Sequence, residues 1–167
     1  YTSTPMAQAS AIAKAFETET GIKVELFRSG GSAVLRRFLQ ETGAGRVAVD
    51  MLTTSDPAAF ASMARKGTFV PYKPKNFDKL PAEARAEDGS FFAQRLNIMT
   101  NYLRGDRVAE ADIPKTWAEL TNPKYNGKLV MTDPSFTSLQ LSVVGMMSKN
   151  NGWGFYEKLA ANKVMIV

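Results

Sequence analysis

The sequence predicts an α/β fold with mostly parallel sheets. In the first half of the chain, extended apolar runs alternate with segments in which apolar residues recur at helical spacing. Small polar residues separate each run from the segment that follows it, as in the stretch RSGGS at residues 28–32. Strands that alternate with helices of this length form parallel sheets with right-handed crossovers.

The first predicted helix follows YTS, which reads as the end of a strand. Thr4 is the predicted N-cap, and Pro5 takes the first helical position, where its missing N–H costs nothing. Gly21 is predicted to end this helix. The predicted buried face consists of Met6, Ala9, Ile12, Ala13 and Phe16.

Two further strand-and-helix pairs follow. The run IKVELF, residues 22–27, alternates apolar and charged residues and predicts a strand. The helix after SGGS is expected to bury Val34, Leu35, Phe38 and Leu39 and to end near Gly43. Residues 47–52 predict the next strand, and the residues Ser55-Asp56-Pro57 begin a third helix that buries Phe60 and Met63 and closes at Gly67.

The second half has a looser pattern. Residues 71–85 predict a surface loop with one short helix. Residues 90–103, unusually long for one strand, predict an extended element that passes between two lobes. Thr116 and Glu119 have the spacing of a capping box. After a strand at LVMTD, two helices separated by Gly152 are expected. Their apolar stripes are Leu139, Val143 and Met146 or Met147, then Trp153, Tyr156 and Leu159.

Composition excludes several classes of function. The chain has no cysteine and no histidine, so disulfides, cysteine-based zinc sites and histidine-dependent triads are ruled out. The net charge is +5 but is not concentrated in one run, which argues against nucleic-acid binding and favours an anionic small ligand. No run approaches the length of a membrane span. No cofactor or resident metal is predicted.

The polar turns after the strands are the candidate binding site. In a parallel sheet these turns share the carboxyl edge, where backbone N–H groups at helix N-termini favour oxyanions. Gly30 and Gly31 would let a ligand approach the backbone and would permit a positive φ. The alternative is that the same residues are ordinary helix caps. SGGS matches neither a phosphate-binding P-loop nor a dinucleotide fingerprint.

Catalysis finds little support in the sequence. Asp56 and Asp133 are the acids that an enzyme acting on phosphorylated substrates would use, but both stand in capping contexts and no nucleophile–base motif accompanies them. We therefore predict no enzyme activity. Tyr102, at the end of the predicted extended element, either contacts a ligand or packs in the core, and the sequence favours neither.

Longer stretches resemble the extracellular solute-binding proteins of bacterial ABC importers. These stretches are TGIKVELFRSGGSAVLRRFLQE, VDMLTTSDPAAFASMARKGTFVPY, IPKTWAELTNPKYNGKLVMTDPS and GWGFYEKLAANKV. The chain is most similar to the type II group that contains the ferric-iron, polyamine and sugar-phosphate binders. This resemblance implies type II lobes and a ligand cleft between them. It assigns residues 1–96 to the first lobe and 97–167 to the start of the second, with both lobes incomplete in this chain.

The resemblance also implies the ligand-facing residues, a membrane permease as partner, and a periplasmic or lipid-anchored extracellular location after signal-peptide removal. Because Thr4 and Pro5 stand where ferric binders place a metal ligand, we expect an oxyanion-bearing solute: a phosphate ester, phosphonate or carboxylate. Ferric iron and a ligand-sensing domain of a regulator are the alternatives. The predicted ligand-binding residues are Ser3, Thr4, Ser29, Gly30, Gly31, Ser32, Thr54, Ser55, Asn101, Tyr102, Thr132, Asp133 and Ser135.

Overall fold

A computed structural model describes residues 1–46 and 48–167, which form two compact units. The first unit combines Tyr1–Ser55 with Leu103–Val167, and the second is Asp56–Tyr102. The α-helices of the described residues are Met6–Thr20 (α1), Gly31–Gly43 (α2), Pro57–Arg65 (α3), Ser138–Asn151 (α4) and Gly154–Ala161 (α5). The strands Val130–Met131 (β1) and Met165–Ile166 (β2) pair in parallel, with Val130 opposite Met165. The α/β class with parallel pairing is therefore confirmed.

In the first unit, three extended segments meet at Thr2. The Thr2 N–H donates to the carbonyl of Phe27 at 2.9 Å, and the Thr2 carbonyl accepts from Ser29 N–H at 3.3 Å. On the other side, Ser3 N–H donates to the carbonyl of Thr53 at 2.9 Å. Both bridges, Thr2 to Arg28 and Thr2 to Thr53, are parallel. The segment at Thr2 thus lies between the other two, and all three run in one direction.

The strands predicted at 22–27 and 47–52 do not form within the described residues. Residues 22–27 and 48–52 contain no strand, Val47 lies outside the described residues, and pairing is limited to bridges at Arg28 and Thr53. Ile22 and Met51 remain 59% and 74% exposed. The described pairing involves residues 1–3 of the central segment, residues 27–29 and Thr53.

Side chains beside the paired segments hold α2 against them. The Tyr1 hydroxyl donates to both carboxylate oxygens of Glu41, at 3.0 and 2.8 Å, and Arg37 Nε donates to Glu41 at 2.7 Å. The Arg37 guanidinium lies 4.9 Å from the ring centre of Tyr1 and 4.2 Å from that of Phe27. This cluster connects the first two extended segments to the second half of α2.

Helix α1 confirms its predicted span but not its predicted start or face. Gly21 ends it with φ 73°. The N-cap is Pro5, not Thr4, and no side chain caps the helix. Only Ala9 and Ala13 of the predicted face are buried, whereas Met6, Ile12 and Phe16 are about half exposed. Helical spacing identifies which residues share a face, but burial also needs a partner element against that face.

Helices α2 and α4 follow the sequence more closely, whereas Trp153 of the stripe predicted for α5 is 64% exposed. Val34, Leu35 and Phe38 are buried, although Leu39 is 52% exposed. Helix α4 ends at Gly152, as predicted. Its buried face joins that of α5 in a core cluster, and of the two methionine alternatives Met147 is the buried one. The cluster consists of Val143, Met147, Phe155 and Leu159.

The predicted capping box before Ala118 forms, but the backbone N–H that Glu119 accepts from is shifted by one residue, to Lys115. Thr116 Oγ1 accepts from Glu119 N–H at 3.3 Å, and the Glu119 carboxylate accepts from Lys115 N–H at 2.8 Å. Ala118–Thr121 is a 3₁₀ turn, followed directly by another at Pro123–Tyr125. The buried side chain of Asn162 donates to the carbonyls of Leu120 and Asn122, so these turns are fastened to the end of α5.

The second unit is built around α3 and an aromatic cluster. Asp56 caps α3 by accepting from Ala59 N–H at 2.9 Å, and Gly67, with φ 68°, follows its end, both as predicted. Phe60 contacts Phe69 and Phe91, with ring centres 5.4 and 5.9 Å apart. The loop after residue 70 contains two 3₁₀ turns, Phe77–Lys79 and Ala82–Ala84, where one short helix was predicted.

The extended element predicted at 90–103 does not form a strand. Pairing in this range is limited to an isolated antiparallel bridge between Arg85 and Phe92, and residues 94–104 contain no strand. Leu96 and Ile98 are 76% and 88% exposed. Alternating apolar residues favour a strand, but the described residues give this stretch no backbone to pair with. The predicted division into lobes at residue 96 stays a prediction.

Replacing Asp56 with alanine should lower the free energy of unfolding by about 0.5–2 kcal/mol, because the Ala59 N–H loses its acceptor. Chemical denaturation of the two forms measures the difference. Asp56→Asn is the matched control, since asparagine is an equally good cap and should retain most of the stability. Equal losses in the two variants would show that the carboxylate charge, not the cap, matters.

Glu41 should titrate at unusually low pH. Hydrogen bonds from Arg37 and then Tyr1 lower the pKa of its carboxyl below the ordinary value of 4.5. A lowered folded-state pKa means that this interaction stabilises the fold above pH 4.5 and is lost as the pH falls through the folded-state pKa. Carbon-detected NMR titration should give a midpoint below 4.5 that rises in Arg37→Gln. An unchanged midpoint in that variant would contradict the assignment of the cause.

Candidate functional site

The polar turns of the first unit are brought together by the pairing at Thr2. Thr4 and Gly30 each lie two residues beyond the bridged pair Thr2 and Arg28, and Thr54 follows Thr53 on the other side. Ser3 and Ser29 are held by their backbone N–H groups within this pairing. The ends of the three extended segments, as predicted, therefore lie at one edge.

Two hydroxyl groups at this edge are left without partners. Thr4 is only 2% exposed, and Thr4 Oγ1 has no hydrogen-bond partner among the described residues. Thr54 Oγ1 is also buried and unpartnered within residues 1–46 and 48–167. Thr2 contrasts with both, since its Oγ1 accepts from Thr4 N–H at 3.0 Å. A buried hydroxyl without a partner costs about 1–3 kcal/mol, a cost that a polar ligand can offset.

The N-terminus of α2 adds uncapped donors beside these hydroxyls. Its N-cap is Gly30, with φ −60° and ψ 149°, and no side chain caps it. No acidic residue stands in its first turn. The first N–H groups of a helix have no partner within it. Ser32 lies inside the first turn of α2 and therefore does not cap it. The alternative that the SGGS residues are ordinary helix caps is wrong, whereas Asp56 does cap its helix.

The loop that contains Thr132, Asp133 and Ser135 is internally bonded. Asp133 Oδ1 accepts from Ser135 N–H at 2.7 Å, and Asp133 N–H donates to the carbonyl of Val167 at 2.8 Å. The side chain of Asp133 therefore shapes the turn before α4. Thr132 and Ser135 are exposed.

The beginning of α4 lies against the same edge. The Ser142 hydroxyl donates to the carbonyl of Ser55 at 3.2 Å. A β-carbon placed on Gly30 would lie 2.6 Å from the Phe136 carbonyl, and one on Gly31 would lie 2.9 Å from the β-carbon of Ser138. Neither glycine has a positive φ. The expectation that they serve a left-handed backbone is wrong; their smallness lets another part of the chain approach.

Asn101 and Tyr102 lie in the second unit, at its C-terminal end. Tyr102 is 94% exposed, so it does not pack in a core of the described residues. That removes the packing alternative for this side chain. A ligand-binding role for Asn101 and Tyr102 stays a prediction.

Arg28 lies beside the candidate site but was not among the predicted site residues. Its Nε donates to the carbonyl of Thr4 at 3.4 Å, and its side chain remains exposed. It therefore places a positive charge beside Thr4. The sequence signal that could have identified Arg28 is its position directly before SGGS. In the structure it is the residue of its extended segment that bridges to Thr2.

The described residues contain no group of three or more histidine, cysteine, aspartate or glutamate side chains that could hold a metal ion. The two acids proposed for catalysis are both engaged in backbone contacts, Asp56 with Ala59 and Asp133 with Ser135. This edge therefore offers hydroxyls, amide donors and one cation. Such a donor set suits negatively charged oxygen atoms.

Within the described part of the chain, no helix combines the length and apolar character needed to cross a bilayer.

Comparison with known proteins agrees with this fold. Residues 48–165 match the sequence profile of the family described as bacterial extracellular solute-binding protein. A probable ABC transporter periplasmic-binding protein, y4fP of Sinorhizobium fredii, is 26% identical over 158 residues, which are 87% of this chain and 42% of that protein. The chain thus spans less than half the length of this relative.

Two solved structures share the fold. Iron-bound HitA from Pseudomonas aeruginosa superposes with a TM-score of 0.78 at 22% identity, covering 100% of this chain and 54% of that one. A Trichodesmium protein, IdiA or FutA, in complex with iron and citrate has a TM-score of 0.62 at 20% identity, covering 97% of this chain and 50% of that one. At these identities the likeness concerns the fold.

Removing the hydroxyl group should affect the free energy of unfolding differently at Thr4 and at Thr2. Thr4→Val removes an unpartnered hydroxyl, so the free energy of unfolding should be unchanged or raised by about 1 kcal/mol. Thr2→Val should lower it by about 1–3 kcal/mol, because the buried Thr4 N–H loses its acceptor. Urea denaturation compares the two. If Thr4→Val costs as much as Thr2→Val, the Thr4 hydroxyl has a partner in the fold.

Proposed function

The chain belongs to the bacterial extracellular solute-binding protein family, and on that premise we propose that it is part of the substrate-binding component of an ABC importer. The family is one of transport proteins, not of enzymes. Since this chain covers 42% of the relative from Sinorhizobium fredii, the proposal concerns the longer protein to which such a sequence belongs. The component captures a small solute and hands it to a membrane permease.

The buried hydroxyl of Thr4 is the observation that carries this proposal. It is 2% exposed and unpartnered within the described residues, and it lies near the uncapped start of α2. A protein selected only for stability would fill or remove such a group, since each unpartnered buried hydroxyl is destabilising. A bound solute supplies the missing partner.

We infer an oxyanion-bearing solute, such as a phosphate ester, a phosphonate or a carboxylate. Arg28 contributes a cation and α2 its first amide donors, and the first turn of α2 has no acidic residue to oppose an anion. The positive end of the helix dipole adds to the attraction. Thr54, Ser55 and the turn at 132–135 complete the proposed contact set.

Ferric iron is the second candidate, and the related structures favour it at least as strongly. One is iron-bound and the other holds iron together with citrate. This chain has no histidine or cysteine, and its described residues supply no acidic cluster for a metal. Iron would therefore arrive with a carboxylate or other anion. In that case the edge at Thr4 binds the anion.

The proposed mechanism is closure of two lobes over the solute. One lobe, residues 1–96, receives the anion, and the lobe that begins at residue 97 closes over it. Closure excludes water and strengthens each polar contact in the less polar interior. The permease then recognises the closed form. We place the protein in the periplasm, where the Sinorhizobium relative is described as acting.

Isothermal titration calorimetry of the longer protein tests the solute class. Citrate, inorganic phosphate, a phosphonate, Fe(III) and Fe(III)-citrate are titrated separately. We expect heat with at least one oxyanion or with Fe(III)-citrate, and binding should weaken at least about tenfold in Thr4→Val and in Arg28→Gln. Binding of Fe(III) without any anion would overturn the proposed solute class.

Matched variants separate site effects from general damage. Thr18→Val and Arg36→Gln alter an exposed threonine on α1 and an exposed arginine on α2. These variants should bind as the unaltered protein does. If they weaken binding equally, the effect of Thr4 and Arg28 is not local and the proposed site is wrong.

A further inference from the structure

The ring of Phe136 lies against the backbone of the candidate edge. A β-carbon placed on Gly30 would lie 2.9 Å from Cε2 and 3.1 Å from Cδ2 of this ring. Carbon atoms in contact stay about 3.5–4.0 Å apart, so position 30 has no room for a side chain while the ring is there. Gly30 is buried, and like Thr4 it lies two residues beyond the bridged pair of Thr2 and Arg28.

Glycine at position 30 is explained by the ring and not by the backbone. Gly30 has φ −60° and ψ 149°, a conformation that other residues adopt without strain. Glycine loses more conformational freedom on folding than any other residue, so it is costly where a side chain would fit. The contact with Phe136 supplies a reason for that cost.

The ring is only partly buried by this contact. Phe136 is 56% exposed, whereas Phe38, Phe77 and Phe155 are 2–7% exposed. A single exposed apolar side chain is common on protein surfaces. Phe136 differs because its ring borders an edge that also holds a buried hydroxyl without a partner among the described residues, that of Thr4. The ring thus leaves apolar surface that a ligand at this edge can remove from water.

Backbone hydrogen bonds hold Phe136 in place. Its N–H donates to the carbonyl of Asp133 at 3.2 Å, and the N–H of Thr137 donates to the same carbonyl at 3.3 Å. The Asp133 carboxylate accepts from Ser135 N–H at 2.7 Å. The turn therefore orders the residue that carries the ring before any ligand is present. A preorganised contact loses less entropy on binding than a flexible one.

We propose that Phe136 is a specificity-determining residue that selects organic oxyanions over inorganic ones. In this proposal Thr4 and Arg28 receive the charged oxygens, and the ring of Phe136 contacts an apolar or aromatic group attached to them. The inference rests on the proposed function and narrows its substrate class. The solute is then a phosphonate, phosphate ester or carboxylate whose organic part is apolar.

Calorimetry of the longer protein with three probes tests this selection. The probes are phenylphosphonate, methylphosphonate and inorganic phosphate, at a pH at which both phosphonates are doubly ionised. The two phosphonates carry the same charged group and differ only in the organic part. Phenylphosphonate should bind at least about tenfold more tightly than methylphosphonate, because its ring buries apolar surface against Phe136. Inorganic phosphate should bind no more tightly than methylphosphonate.

Three variants assign the preference to Phe136. Phe136→Ala should reduce it to about threefold or less by weakening phenylphosphonate binding, and should leave the affinity for methylphosphonate within about twofold. Phe136→Tyr retains a ring and should retain the preference. Phe16→Ala removes a half-exposed ring from α1 and is the matched control. This control should bind all three probes as the unaltered protein does.

Equal affinities for the two phosphonates in the unaltered protein would overturn the inference and leave the proposed function standing. Heat with Fe(III)-citrate alone would do the same. A preference that survives in Phe136→Ala would also overturn it, since the ring would then serve another contact. Absence of heat with every probe and with Fe(III)-citrate would overturn the proposed function itself.

Nuclear Overhauser effects give a second readout that does not need Phe136→Ala to fold. Protons of bound phenylphosphonate should show cross-peaks to one phenylalanine ring of the unaltered protein, and those cross-peaks should move to a tyrosine ring in Phe136→Tyr. Cross-peaks that stay unchanged in Phe136→Tyr would place the organic group elsewhere and overturn the inference.

Discussion

The parallel pairing of three segments at Thr2 is the constraint on which the candidate site depends. Its hydrogen bonds tie residues 1–3 to residues 27–29 on one side and to Thr53 on the other. Because side chains alternate along extended backbone, a slip of one residue would turn each of them to the opposite face. The register therefore decides that Thr4, Gly30 and Thr54 reach the same edge. The cluster of Tyr1, Phe27, Arg37 and Glu41 then holds α2 at that edge.

The polar side chains discussed above fall into two groups, those with hydrogen-bond partners and those without. Asp56, Asn162 and Asp133 all have partners, and each fastens a turn or a helix end. Thr4 and Thr54 are buried without partners among the described residues. Local rules of capping and hydrogen bonding are usually broken where function requires it. Thr4 and Thr54 lie at the edge where an open α/β sheet binds its ligand, whereas a third hydroxyl without a partner in the described part of the chain, that of Ser90, lies in the second unit.

The two candidate solutes share one chemical requirement. An oxyanion needs amide, hydroxyl and cationic donors, and these are the groups that α2, Thr4 and Arg28 present. Ferric iron needs hard anionic ligands, and the described residues contain no group of three or more histidine, cysteine, aspartate or glutamate side chains that could hold it. A metal that arrives with its own carboxylate would meet the same donors as a free anion. The chain belongs to a family of solute-binding proteins, and the chemistry of this edge is the basis on which we propose a solute with negatively charged oxygens.

The sequence by itself determined the α/β class, the spans of α2 and α3, the cap at Asp56 and the stops at Gly21 and Gly152. These features depend on periodicity, caps and left-handed glycines, which are read from neighbouring residues. Only the tertiary structure decided that α1 leaves Phe16 half exposed, that residues 90–103 form no strand, that Thr4 is not a cap, and that Gly31 is small because Ser138 lies against it. A strand needs a partner, a face needs a covering element and a close approach needs a second segment, and all three come from residues far away in the chain.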